Sequence, residues 1–151
     1  IIIDSPAGIE RGFKNAIAPA DYILVVTNPE VSAVRDADRI IGIIEAEQKG
    51  PSHLIINRVN PNLVKRGDML SADDIIELLA IELIGIVPED EAVVIATNRG
   101  QPVASDPKNK AGMAFTNIAR RLNGEAVPLL NLDGKESLIG KMISMMKAGG
   151  K

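Results

Sequence analysis

The sequence contains no cysteine among its 151 residues. A disulfide scaffold, a thiolate metal site and a cysteine nucleophile are therefore excluded from this chain, and a reducing compartment is compatible with it. Aromatic residues make up only 2% and tryptophan is absent, so a core has to be assembled from Ile, Val, Leu, Ala and Met. Histidine occurs once, as His53 at the start of an apolar run, without a triad or metal partner, and no chemistry attaches to it. No apolar run is long enough to span a bilayer. Basic charge is scarce outside one segment: residues 135–151 carry a balance of +3, whereas the rest of the chain sums to −6. An acidic body with a basic tail is not the footprint of a general nucleic-acid binder.

What is present is a globular composition, 46% hydrophobic and 25% charged. The length suits one domain of roughly 100–200 residues. Short apolar runs alternate with longer helical patterns. Ile1–Ile3, Tyr22–Val26, His53–Asn57 and Leu83–Val87 read as strands, the last stopped by Pro88. Between them, Asn28-Pro29-Glu30 starts a helix running to about Gln48 and stopped by Gly50-Pro51, and Ser71 caps a second helix. Further helices are expected over Glu89–Asn98 and Lys110–Leu122. Strands alternating with helices predict an α/β fold with a mostly parallel sheet flanked by helices. In such sheets ligands bind at the carboxyl ends of the strands, and Asp4, Thr27, Asn57 and Pro88 all fall there.

The chain opens IIIDSPAGIE. A strand delivering a carboxylate into a Pro-Ala-Gly turn suits the magnesium side of a P-loop nucleotidase, where the carboxylate accepts from a metal-bound water. Read alone, it suits equally a strand-end aspartate capping its own turn. The longer strings decide between these. DSPAGIE (4–10), TNPEVSAVRDADRIIGII (27–44), NRVNP (57–61), RGDMLS (66–71) and IGIVPED (84–90) together resemble the MinD/ParA family of ATPases with a deviant phosphate-binding loop, on its septum site-determining MinD side. The resemblance is collinear through the tail. It implies a P-loop NTPase-like fold of the SIMIBI class. That family begins with a strand and a glycine-rich loop bearing two lysines, and no G-x-x-x-x-G-K-[ST] or related string occurs here. The resemblance thus places the chain in the C-terminal portion of such a protein, lacking the N-terminal strand and loop. It implies that this chain alone binds ATP poorly and hydrolyses it hardly at all.

By the same resemblance Asp4 is the magnesium-side carboxylate, acting through water, and Ser5–Glu10 form the second switch. Pro6, Ala7 and Gly8 would line the turn near the γ-phosphate, with Asp4, Pro6 and Gly8 the catalytic set. Adenine would lie against Asn57-Arg58 and Pro88-Glu89-Asp90. An asparagine offers a base edge both donor and acceptor, and an arginine can stack on its face. By pattern alone Asn57 is also an ordinary loop residue serving its own turn. In the helix from Glu30, Val34, Ala37, Ile40, Ile41 and Ile44 should pack on the sheet, while Ser32, Arg35, Asp36 and Arg39 form a charged stripe. Such a stripe is commonly no more than a solvated face. The resemblance makes Glu30, Ser32, Arg35, Asp36 and Asp38 a face for the ATP-dependent homodimer and for the partners MinC and MinE, which compete there. Arg66-Gly67-Asp68 spells a cell-adhesion motif but reads as a loop leading into the Ser71-capped helix.

The composition shifts at residues 131–134, a linker between an α/β portion (1–130) and a tail (135–151). In the tail Leu138, Ile139, Met142, Ile143 and Met146 form an apolar stripe, with Lys141 and Lys147 on or beside the polar face. A cationic amphipathic helix of this kind can lie in an anionic membrane surface or dock on its own domain. The resemblance favours the membrane, although Gly140 costs roughly 1 kcal/mol of helicity. The whole implies a cytoplasmic ATPase, using ATP and Mg, that attaches peripherally to the inner face of the cell membrane (or the plastid envelope) and positions the division site. A ParA-like DNA-partition ATPase would need a basic surface. A non-catalytic membrane-attached adaptor would use only the partner face and tail.

Overall fold

Three of the four apolar runs form strands because each is dense in β-branched residues and can be buried on both faces. In the computed structural model, which describes residues 1–6 and 8–132, these are β1 (Ile23–Thr27), β2 (Ser52–Val59) and β3 (Glu82–Pro88). They pair in parallel and in chain order, β1-β2-β3. The central strand β2 is the most deeply covered, with Leu54 and Ile56 fully buried.

Helices close the two faces separately. On one face α1 (Arg11–Ile17), α2 (Val31–Ala46) and α4 (Ala72–Leu79) contribute Phe13, Ile17, Val34, Ala37, Ile41, Ile44, Ile75 and Leu79 to a cluster with Val25, Leu54 and Ile56. The buried positions of α2 follow the helical spacing read from the sequence. On the other face α6 (Lys110–Leu122) brings Ala111, Ala114 and Ile118 over Ile55, Ile84 and Val87. Two short helices complete the carboxyl side of the sheet, α3 (Pro61–Arg66) and α5 (Glu91–Asn98).

Ile1–Ile3, expected as a strand, make no strand pairing, and Ile1 and Ile2 are exposed. A strand needs a neighbour to complete its ladder, and none of the described strands lies alongside this run. Helix α2 begins one residue past Glu30, which gives no side-chain cap, and ends at Ala46, short of the expected Gln48, whose φ of 53° turns the chain out of the helix. Helix α5 begins at Glu91 rather than Glu89 because Asp90 is its cap, accepting from the Ala92 N–H. At α4 the expected Ser71 cap is present as a full capping box with Asp74. Linker residues 133–134, the tail, and with it Leu138, Ile139, Lys141, Met142, Ile143, Met146 and Lys147, lie outside the described residues, as does Ala7.

Candidate functional site

The carboxyl edge of the sheet is built by caps. After β2, Asn60 turns its side-chain oxygen onto the Asn62 and Leu63 N–H groups and, with Pro61 following, starts α3. After β3, the Asp90 carboxylate both caps α5 and accepts from the Asn109 amide at 2.9 Å. Asn109 in turn caps α6 through the Gly112 N–H at 2.8 Å. Asn60, inside NRVNP, and Asn109 both lack a capping role in the sequence reading, although each precedes a helix by one residue and carries the N-cap signal.

Glu89 joins the two strand ends. One carboxylate oxygen accepts from Arg58 Nη2 and the other from Asn60 Nδ2, each at 3.1 Å. The Asn60 hydrogen bond first, then that from Arg58, holds the Glu89 carboxyl below its usual range. Arg58, which the resemblance sets beside the base, is paired with Glu89, and its backbone sits at a φ of 57°. The structure brings Asn57, Arg58, Pro88, Glu89 and Asp90 to the adjoining ends of β2 and β3; for Asn57 and Pro88 this matches their positions at apolar runs, while Arg58, Glu89 and Asp90 were placed by the resemblance alone.

The opening segment is held differently. Pro6 packs on α1 so closely that a β-carbon at Gly12 would stand 2.7 Å from it. Gly8 adopts a φ of 90°, a conformation open to glycine but strained for other residues. Ile1–Ile3, Ser5, Pro6 and Gly8 face the edge of β1, including Thr27, across a groove of about 950 Å³ that also takes in Asp36 of α2. Asp4 is exposed. Among the described residues no group of three or more His, Cys, Asp or Glu side chains is placed to hold a metal ion.

On α2, Glu30, Ser32, Arg35, Asp36 and Asp38 are all exposed, opposite the buried stripe. A second cavity, of about 470 Å³, lies where the start of α2 meets the RGDMLS loop, lined by Glu30, Val31, Asp68, Met69 and Leu70. The loop leaves α3 through Gly67 at a φ of 76°, and Arg66 pairs with Asp68 at 2.9 Å, so the Arg-Gly-Asp string is an internal turn. His53 stacks on Tyr22, with its Nδ1 3.3 Å from Glu82, at the opposite end of the strands.

Comparison with known proteins places the fold. The CobQ/CobB/MinD/ParA nucleotide binding domain matches residues 4–103. The septum site-determining protein MinD of Synechocystis sp. is 49% identical over 151 residues, covering 99% of this chain and 57% of the relative. That of Bacillus subtilis is 54% identical over 134 residues, covering 88% and 50%. The chain thus spans about half the length of the curated relatives it matches. Among solved structures, the MinC:MinD cell division protein complex of Aquifex aeolicus superposes with a TM-score of 0.81 at 52% identity, covering 85% of this chain and 53% of that one. The Pyrococcus horikoshii MinD complexed with Mg-ADP shares the fold, with a TM-score of 0.68 at 24% identity over 80% of this chain and 48% of that one. The chain belongs to the CobQ/CobB/MinD/ParA family of nucleotide-binding domains, within which these relatives are septum site-determining MinD proteins.

Proposed function

We propose that this chain is part of a magnesium-dependent ATPase that cycles on and off a membrane to position the division site. The observation that carries the reading is the identity to a MinD along 99% of the chain. Residues 1–130 are its share of the ATPase, 131–134 a linker, and 135–151 a membrane-targeting tail.

Asp4 is the residue that would hold Mg²⁺, through water. An exposed single carboxylate fits an ion that keeps most of its waters and takes its other ligands from substrate phosphates. When bound with ATP, magnesium neutralises charge on the β- and γ-phosphate oxygens. Pro6 and Gly8 shape a backbone turn beside the γ-phosphate, and the left-handed Gly8 lets that turn rearrange when the phosphate leaves. Asn57 hydrogen-bonds the base edge, Arg58 lies beside its face, and Pro88, Glu89 and Asp90 form the adjoining wall. No phosphate-loop lysine motif occurs in this sequence, so hydrolysis is assigned to the full-length protein.

The exposed face of α2, through Glu30, Ser32, Arg35, Asp36 and Asp38, serves the ATP-dependent homodimer and its partners. MinC is one, supported by the MinC:MinD name of the Aquifex relative, and MinE or an equivalent regulator that triggers release is the other. The tail stripe binds anionic lipid weakly when single. Pairing two tails in a dimer raises avidity by roughly 10²–10⁴-fold through effective concentration. The protein is cytoplasmic and peripheral to the inner face of the membrane.

Sedimentation of the full-length gene product with anionic vesicles, in ATP and in ADP, tests this, alongside a version ending at Asp133. Binding in ATP alone, lost with the tail, supports the switch. Binding indifferent to nucleotide, or its absence, refutes it.

A further inference from the structure

The ladder between β2 and β3 slips once between Leu54 and Ile55 and again beyond the Ile56–Ile86 pair; at the second slip Val59 pairs with Pro88, so Asn57 and Arg58 together stand opposite Val87. The extra residue makes a bulge. Arg58 within it has a φ of 57°. A residue with a β-carbon meets a steric penalty in that conformation that glycine does not. Strain of this kind persists only where the surroundings over-determine it, and it clusters at functional sites.

Among these surroundings Glu89 makes several of the contacts. Glu89 grips three consecutive positions of the turn. Its carboxylate accepts from Arg58 Nη2 and Asn60 Nδ2, at 3.1 Å each, and its backbone N–H donates to the Val59 carbonyl at 2.9 Å. Asn60 cannot drift with the load. Its side-chain oxygen is committed to the first turn of α3, and its own N–H meets Met69 Sδ at 3.3 Å. With residues 58 to 60 tied to Glu89, the backbone that follows Asn57 at the head of the bulge is held.

We propose that Glu89 is a positioning residue that acts through the Asn57–Arg58 bulge to make the nucleotide site select adenine over guanine; this rests on the nucleotide reading above. The chemistry of the bases supplies the selectivity. Adenine offers N7 as acceptor beside the N6 amino donor, which an asparagine amide matches with one donor and one acceptor. Guanine offers two acceptors, N7 and O6, along the same edge, so the amide oxygen of a fixed asparagine is left facing an acceptor. An asparagine free to reorient would discriminate less.

The test is the ratio of affinities for mant-ATP and mant-GTP, measured on the full-length gene product. The wild type prefers ATP. Glu89→Ala lowers that preference about tenfold, the worth of one well-made hydrogen bond, through a larger loss of mant-ATP affinity than of mant-GTP affinity. Glu89→Gln keeps one acceptor oxygen and the side-chain size, and it falls between the two. Combining Arg58→Ala with Glu89→Ala lowers the ratio no further than the more severe single change, because both act on one bulge. An unchanged ratio in Glu89→Ala overturns the proposal, as does an equal loss for both nucleotides, which marks a purely structural role. Should Glu89→Ala fail to fold, Glu89→Gln decides: a ratio equal to wild type overturns the proposal and a reduced one supports it. If the wild type binds neither nucleotide, the nucleotide reading itself falls, and the proposal with it.

Discussion

Replacing Gly85 by alanine tests the contact that seats α6 on the sheet. Gly85 is buried in β3, opposite Ile55. A β-carbon there would overlap Cγ1 and Cδ1 of Ile118, a residue only 6% exposed. Either Ile118 leaves its rotamer or α6 lifts. Lifting is resisted at both ends. Near its start, Gly112 lies so close to the Val103 and Asp106 carbonyls that a β-carbon would be 2.5 and 2.6 Å from them. Near its end, Arg121 donates to the Ile84 carbonyl at 2.8 Å. Overpacking of this kind costs about 1–3 kcal/mol. At about 2–4 °C per kcal/mol for a chain of this length, the melting midpoint of Gly85→Ala falls by about 2–12 °C. Ile118→Ala alone costs about 2–4 kcal/mol by opening a cavity. In the double variant the new methyl enters the space that Ile118 vacates. The pair is then no less stable than Ile118→Ala alone, a coupling of at least about 1 kcal/mol. Urea unfolding followed by far-UV circular dichroism gives all three values. A neutral Gly85→Ala, or strictly additive losses, refutes the close-packing argument.

Three further outcomes follow from the caps and turns. The Asp74 carboxyl is held below its usual range first by the Ser71 hydroxyl, at 2.6 Å, and then by the Ser71 N–H. Its folded-state value is therefore depressed, so its stabilisation is present above about pH 4 and is lost as pH falls through the folded value. Ser71→Ala should cost about 1 kcal/mol at pH 7, and its difference from the wild type should shrink in acid without vanishing, because Ser71 Oγ still accepts from the Asp74 N–H. Ala80 and Gly67 both close helices in the left-handed region, at φ of 52° and 76°. Ala80→Gly should raise stability by up to about 1 kcal/mol and Gly67→Ala lower it by a similar amount, read from denaturant midpoints. Asn109→Ala removes the cap of α6 and a partner of Asp90 together, at about 1–2 kcal/mol. Adding Asp90→Ala to it should cost less than Asp90→Ala alone, as a double-mutant cycle would record.

The parallel sheet and the longer helices were legible because they rest on local signals: β-branched runs, the Ser71 cap, and the 3.6-residue stripe of α2. Helix α1 carries no side-chain cap and only seven residues, too weak a pattern to separate from a loop. The Asn60-Pro61 pair does carry the cap-then-proline signal of α3, but inside NRVNP it reads first as a ligand-side string. Ile1–Ile3 fail as a strand for a non-local reason, since apolar β-branched character makes a strand only where a ladder receives it. The candidate site divides in the same way. That Asn57 and Pro88 reach one edge follows from strand ends. That Glu89 holds Arg58, 31 residues away in sequence, is a matter of tertiary geometry that no spacing rule conveys.

Because strand order follows chain order, the sheet can be assembled in the direction of synthesis. β1 finds β2 before β3 has left the ribosome, and α2 already lies between them in sequence to cover the first face. The second face waits. Ile55, Ile84 and Val87 stay uncovered until α6 emerges, ending at Leu122. A nascent chain stalled before residue 110 therefore carries β1, β2 and β3 with one apolar side open to water, a state in which chaperone capture and misassociation compete with folding.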